Sequence, residues 1–443
     1  MTQLVEGMVS DIVAAPLTAE QLSWVDTLPE PVKIIHNTIA NAGGGIWLVG
    51  GAVREAMRGR KPKDHDLATS LTPDEVEKLF EHTIPTGKQF GTITIIIEKV
   101  EYEITTLRCE SGYRDGRRPD TVNMTTSLNL DLERRDFTIN AMAVDIARRE
   151  LYDPHNGLSD LQAKRLRAVG SASLRLSEDG LRVMRAYRFL DQNDEADWRT
   201  DMELELALIE RQDMLDGVAK ERIWQELFRI LGGKDSGRVL ARMAKDSVID
   251  RILGGRTPED DSRIRALRSV EGKVEPSLCM AVLLKDRDTS MVKSTLKEIK
   301  APNTFISSCT NYHSWLGTSP LDSDDGLIRL FRHSVADKMN HFLAMDEAWR
   351  NETEKLAPNA FMQLRQRLRE LPANKFNEPL ADGTWLMQNT ALKQGKRLGR
   401  LKIWLFRIQI ERDLSGLDDI EEILCSIPWQ HGDIEEWPTT DWR

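Results

Sequence analysis

The sequence predicts an α+β protein in which a small mixed-sheet head precedes a mostly α-helical remainder, and three observations predict it. Up to about residue 108, segments dense in β-branched residues alternate with segments of helical spacing, which calls for a sheet with helices packed on it. From about Ser173 strand signals almost vanish, and apolar residues recur every three or four positions. The length of 443 residues exceeds what one hydrophobic core usually supports, so two to four domains are expected.

In chain order, PVKIIHNTIANAGG reads as a helix ended by glycines, and IWLVGG as a strand running into a turn. DLATS, TITIIIE and VEYEITTLR have the β-branched density or alternation of strands. Between the first two lies TPDEVEKLFEHT, a helix opened by Thr72 ahead of Pro73. Further on, EDGLRVMRAYRFL, KERIWQELFRIL and GRVLARMAKDSVIDRIL carry helical periodicity. Breaks are expected at Gly254–Gly255, near residue 320 in SPLDSDDG, and near 375 in LPANKFNEPLADG. No repeat of fixed period and no low-complexity segment interrupts this order.

Composition narrows the function classes. A formal net charge of −10 argues against a general nucleic-acid coat, so any RNA site has to be a local cluster of Lys and Arg. One cluster is Lys396, Arg397 and Arg400, within ALKQGKRLGRLKIWLFRIQIERD, where basic residues recur at helical spacing beside a stripe of Leu398, Leu401, Leu405 and Ile408. The alternative is an ordinary amphipathic helix with a solvated basic face. No run of about 18 apolar residues and no basic-then-apolar start are found, so neither a membrane span nor a secretory signal is expected, and the location expected is cytoplasmic. Cys109, Cys279, Cys309 and Cys425 are scattered, which suits a reducing compartment rather than a zinc or disulfide framework.

The chemistry concentrates in LVGGAVREAMRGRKPKDHDLATS. Asp64 and Asp66, two apart on an expected strand, would point to one face about 6.5 to 7 Å apart, close enough to share a pair of divalent ions, with His65 facing away. Asp-x-Asp alone is common in solvated turns. Here Gly50 and Gly51 precede it and permit backbone to approach phosphates, and Arg54 can neutralise them. That combination suits transfer of a nucleotidyl group from a nucleoside triphosphate. A third carboxylate is expected from VEYEITTLR, where Glu101 and Glu103 share a face and spacing does not choose between them.

GGAVREAMRGRKPKDHDLAT resembles the first signature of class II tRNA nucleotidyltransferases, the polymerase-β-like superfamily that includes CCA-adding enzymes and bacterial poly(A) polymerases. RRDFTINAMA (134–143), DPHNGLSDL (153–161), EDGLRVMRAYRF (178–189) and ERIWQEL (221–227) resemble the remaining signatures in the expected order, over roughly residues 45–230. The resemblance implies a leader over 1–30, a catalytic head over 31–172, a base-recognising neck over 173–235, a body over 236–325 and a tRNA-binding tail over 326–443. It makes Asp64 and Asp66 ligands of Mg²⁺, favours Glu103 as third carboxylate, and gives Gly50, Gly51 and Arg54 the triphosphate. Arg135, Asp136 and Asn140 match positions around the phosphates and sugar of the incoming nucleotide. Asp179 and Arg182, three apart on one expected helix face, match the pair that selects cytosine and adenine without a template. Arg185 and Arg188 are expected to support phosphate or neighbouring acids. Arg222 and Glu226 are expected to serve the structure of their own helix.

The chain departs from the pattern at Glu55, where the family usually has Asp; the extra methylene alters any hydrogen bond made there. A His-Asp phosphohydrolase signature is absent from the tail, so no second, metal-dependent phosphatase activity is expected. Three classes compete: CCA addition to tRNA from CTP and ATP, poly(A) synthesis, and an inactive RNA-binding scaffold. PTGKQFGTITIIIE resembles the tRNA branch, and the intact acids, phosphate turn and base-reading helix argue against a scaffold. The polar segment from Cys109 to Asp136 resembles the loop of CCA-adding and A-adding enzymes, which leaves A-only addition to CC-ended tRNA as runner-up.

Overall fold

The computed structural model describes residues 3–111, 121–191, 198–354, 356–372 and 378–440. The chain divides into two compact units, one of residues 1–230 with 245–255 and one of 231–244 with 256–443.

The first unit is built on an eight-stranded mixed sheet. Its strands are β1 (Ala15–Pro16), β2 (Ile46–Val49), β3 (Leu67–Thr69), β4 (Thr83–Gly87), β5 (Thr92–Ile97) and β6 (Val100–Thr106), then, after the separate hairpin β7 (Arg108–Ser111) and β8 (Thr121–Met124), β9 (Ala143–Asp145) and β10 (Glu150–Tyr152). Across the sheet they run β1-β10-β9-β2-β3-β6-β5-β4. The centre combines both pairing types: β2 is antiparallel to β3 and β9, and β3 is parallel to β6 with Leu67 opposite Ile104. The fully buried run Ile46–Val49 reflects this central position, since a strand covered on both faces reads as a continuous apolar block.

Helices α1 (Ala19–Asp26), α2 (Glu30–Asn41), α3 (Gly50–Met57) and α4 (Pro73–Leu79) belong to the head. Two follow their sequence signals closely. α2 ends at Asn41 and is capped by Ala42, ahead of Gly43 at a φ of 82°, and α4 is opened by Thr72, whose side chain forms a reciprocal capping box with Glu75. α4 stops before the expected end because Phe80 is already extended toward β4. The expected separate leader is instead part of the head: β1 pairs with β10, and Met8, Ile12 and Ala14 pack on the core formed by Trp47, Leu107, Leu132, Ala143, Tyr152 and Val169.

α5 (Leu128–Glu133) and α6 (Gly157–Gln162) lead to α7 (Ala172–Glu178), α8 (Leu181–Phe189), α9 (Met202–Glu210) and α10 (Lys220–Leu231). The expected helix EDGLRVMRAYRFL is therefore broken. Asp179 is extended, and a Cβ on Gly180 would lie 2.2 Å from the carbonyl oxygen of Met214, so only glycine lets this corner pack against the 212–217 turn.

In the second unit the described secondary structure is helical. Apart from residues 245–255, which belong to the first unit, the residues expected to divide between body and tail fall in this one compact unit. Its C-terminal core gathers Leu386, Leu398, Leu401, Leu405, Ile420, Leu424 and Trp437, so the apolar stripe of helix Lys396–Arg412 is buried as its spacing requires.

Candidate active site

A cavity of about 560 Å³ lies in the first unit, lined by residues from β2, α3, β5, β6, α8, α10 and the segments joining them. Its floor starts where β2 runs into α3. Gly50 has a φ of 65°, which favours glycine, and a Cβ there would stand 3.3 Å from Nη1 of Arg135 and 3.5 Å from Oδ2 of Asp66. Gly51, Arg54 and Asp66 share this lining.

The expectation of a strand bearing both aspartates needs correction. β3 begins at Leu67, and Asp64 and Asp66 lie in the segment leading to it, Asp64 in a bend, with the segment fastened where the Val49 amide donates to the Asp66 carbonyl at 3.0 Å. Proximity to β2 ends here, so the ladder does not reach Asp64. Asp66 lines the cavity; Asp64 is exposed beside it and is not among the lining residues. The surrounding protein pushes the Asp66 carboxyl above its ordinary range; Arg135 opposes that and the neighbouring Asp64 charge reinforces it. From β6, Glu103 lines the same cavity and Glu101 does not.

Behind the glycine turn stands a buried ionic hub. Arg54 donates through Nη1 to Oδ1 of Asn140 at 2.5 Å, Nδ2 of Asn140 donates to Oδ1 of Asp136 at 3.0 Å, and Oδ2 of Asp136 accepts both Nε and Nη2 of Arg185 at 2.8 and 2.5 Å. Burial would raise the Asp136 carboxyl, but Arg185 and Asn140 outweigh it and hold the group well below the usual carboxylate range. Arg135 is held by Asp131 at 2.9 Å, and the same carboxylate takes Arg134 at 2.6 Å. Glu55, one methylene longer than Asp, reaches Nε of Arg54 at 3.1 Å.

Asp179 and Arg182 both line the cavity but not as two positions on one helix face. Asp179 precedes α8, where Oδ1 accepts the Leu181 amide at 3.0 Å. Arg182 is inside α8 and gives Nη1 to Glu178 at 2.5 Å and Nη2 to the Arg134 carbonyl at 3.0 Å. The expectation for Arg222 and Glu226 is also corrected, because both reach from α10 toward the α8 region. Arg222 forks onto Asp179 at 3.3 and 2.8 Å, and Glu226 accepts Nε of Arg188 at 2.5 Å. Phe189 gathers guanidinium groups on its ring, with Arg188 4.1 Å, Arg54 5.2 Å and Arg185 5.5 Å from its centroid. Arg108, Arg134, Phe189 and Arg222 line the cavity and escaped sequence reasoning; the arginine pair in RRDFTINAMA and the Arg-Phe step in RAYRF were the available signals.

The tail cluster makes contacts within its own unit. Arg397 donates to the Trp429 carbonyl at 3.0 Å and lies 5.0 Å from the Trp437 ring centroid, while Arg400 donates to the carbonyls of Ile434 and Trp437, both at 2.8 Å. These two clamp the C-terminal segment. Lys396 is 85% exposed and touches Glu435 at 3.4 Å. Residues 112–120, within the loop singled out by the sequence, lie outside the described residues.

The poly A polymerase head domain model matches residues 46–167. A CCA-adding enzyme of Geobacillus sp. (strain WCH70) is 34% identical over 331 residues, covering 73% of this chain and 80% of that protein. The CCA-adding enzyme of Lactobacillus helveticus is 32% identical over 386 residues, covering 85% and 92%. The chain belongs to the CCA-adding enzyme family. Against the CCA-adding enzyme of Bacillus velezensis it is 41% identical over 231 residues, which are 52% of this chain; there it spans little more than half, 56%, of the relative. The fold is shared with the Bacillus stearothermophilus CCA-adding enzyme in complex with CTP (TM-score 0.69, 24% identity, 90% of this chain and 98% of that one). It is shared too with the Thermotoga maritima enzyme complexed with tRNA CCA (TM-score 0.62, 18% identity, 91% and 97%).

Nucleotidyl transfer in this family calls for a divalent metal. No group of three or more His, Cys, Asp or Glu among the described residues forms a ready-made cage. What the site offers is an open corner: Asp66 and Glu103 on the cavity, and Asp64 near enough for its charge to act on Asp66. That donor set fits a hard cation that takes carboxylate oxygens on one side and keeps positions for phosphate and water on the other. No helix of the described structure is long and apolar enough to cross a membrane.

Proposed function

We propose that this protein rebuilds the 3′ end of tRNA, adding C, C and A from CTP and ATP without a nucleic-acid template. The observation that carries the reading is one cavity that brings together a glycine turn, two acids of the metal corner and the Asp179–Arg182 pair. The triphosphate lies along Gly50 and Gly51, with Arg54, Arg135, Arg185 and Arg188 offsetting its charge directly or through Asp136 and Asn140. The tRNA 3′-hydroxyl attacks the α-phosphorus and pyrophosphate leaves. Asp64 and Asp66, with Glu103 as third carboxylate, would hold Mg²⁺, which would supply charge stabilisation to the transfer.

Base choice follows from hydrogen-bond polarity. Cytosine and adenine each present an amino donor beside a ring-nitrogen acceptor, which suits a carboxylate beside a guanidinium. Uracil and guanine present an oxygen and an N–H there, so both partners meet the wrong polarity and are left unpaired. The hub around Asp136 supports this chemistry by fixing Arg185 and Asn140 before the nucleotide arrives. The reading includes a cytoplasmic location and tRNA contact through the second unit, with exposed Lys396 a better phosphate partner than Arg397 or Arg400, which already hold the C-terminal segment.

The test supplies the purified protein and Mg²⁺ with tRNA ending before CCA or after CC, and each nucleotide separately. Addition of C to the first substrate and of A to the second supports the reading. Extension of CC-ended tRNA alone replaces it with A-only addition.

A further inference from the structure

We infer that Arg222 is a positioning residue for base selection, acting through Asp179 rather than touching the nucleotide's phosphates; this rests on the function proposed above. A carboxylate offers about four acceptor positions. On Asp179, Oδ1 takes the Leu181 amide at 3.0 Å and Nη1 of Arg222 at 3.3 Å, while Oδ2 takes Nη2 of Arg222 at 2.8 Å. Three positions are filled and one remains on Oδ2, in a residue that lines the cavity. One acceptor in a fixed place is what an exocyclic amino group requires.

The fork has a second consequence. Asp179 precedes α8 and has extended backbone, so helical geometry does not hold its side chain. Arg182, the partner expected beside it, directs Nη1 to Glu178 and the Arg175 carbonyl, and Nη2 to the Arg134 carbonyl. Orientation of the Asp179 carboxylate therefore falls to the Leu181 amide and the planar two-point grip of Arg222, which a single-point ammonium reproduces only in part. Without the fork, Asp179 can rotate and turn its acceptor away from the base edge. α10 carries a matching support four residues on, where Glu226 holds Arg188. Arg222 and Asp179 are 31% and 19% exposed at the side chain, so the pair lies at the cavity wall and its loss leaves the core intact.

The test measures kcat and KM for CTP, ATP, UTP and GTP on matched tRNA ends with the wild-type protein, Arg222→Ala, Arg222→Lys, Asp179→Ala and the double alanine variant. We expect Arg222→Ala to lower the CTP-to-UTP and ATP-to-GTP ratios of kcat/KM by about tenfold or more, the scale of a charged hydrogen bond lost from a base edge. Arg222→Lys should recover part of that loss, and the double variant should discriminate no worse than Asp179→Ala. An equal loss for all four nucleotides, or unchanged ratios in folded Arg222→Ala and Arg222→Lys, would overturn the assignment. Additive losses in the double variant would overturn it as well. If the wild-type protein itself adds neither C nor A, the proposed function fails rather than this inference alone.

Discussion

Replacing Asp136 with Asn keeps the size of the side chain and removes the charge at the centre of the hub. The carboxylate accepts four hydrogen bonds: the Phe137 amide and Asn140 on Oδ1, and two from Arg185 on Oδ2. An amide has one acceptor oxygen, so its NH₂ must face either Asn140 and the Phe137 amide or Arg185, donor against donor. Breaking a buried ion pair from one side costs about 3 to 5 kcal/mol, and the Arg185 side chain, 31% exposed, retains some water, which favours a value of about 3 kcal/mol. The sign of the pH dependence follows from the depressed carboxyl. Burial opposes the charge, but Arg185 and Asn140 prevail, so the stability Asp136 contributes is complete above the unfolded value of about 3.9 and fades as pH falls below it. The gap between wild type and Asp136→Asn should hold near 3 kcal/mol from pH 7 to 5 and narrow by about 1 kcal/mol at pH 3. Hydrogen exchange at the amides of α8 reads this unit by itself. Equal protection in the two proteins at pH 7, or a gap that stays constant below pH 4, would refute the reasoning.

Asp64→Ala and Asp66→Ala should each lower incorporation by about a hundredfold or more while stability shifts by about 0.5 kcal/mol or less, as both side chains are exposed; near-normal turnover in a folded variant would count against the metal corner. Arg182→Ala should relax base choice more than it raises the KM for triphosphate, which steady-state kinetics with the four nucleotides will show. In the tail, Lys396→Gln should weaken tRNA binding and reduce the salt slope by about 0.9, whereas Arg397→Ala and Arg400→Ala should expose residues 429–437 to exchange at a cost of about 1 to 2 kcal/mol. An unchanged salt slope for Lys396→Gln would assign that lysine to solvent.

Local signals carried most of the head's layout. The Thr72 capping box, the glycines after α2 and the β-branched run of β5 each act within a few residues, so the sequence displays them. The short strands β1, β9 and β10 were hidden because two or three residues show no periodicity; they exist through pairing with distant partners. The same divide runs through the site. Gly50 and Asp66 stood out by type and spacing, whereas Glu103 was set apart from Glu101 only by the family resemblance. The fork of Arg222 on Asp179 and the grip of Glu226 on Arg188 join residues 43 and 38 apart in the chain, and no helical periodicity encodes such partners. The break between α7 and α8 was missed for a related reason: Gly180 answers to the Met214 carbonyl packed against it, while its own neighbours favour a helix.

The measurement that tests the central claim most directly is the sequence of the product made from tRNA lacking CCA with CTP, ATP and Mg²⁺ together, beside Asp66→Ala as control. The account predicts that the wild-type protein stops after C, C and A in that order and that the control adds nothing measurable. Runs of A on unrelated RNA, or C and A added by the control at the wild-type rate, would contradict it.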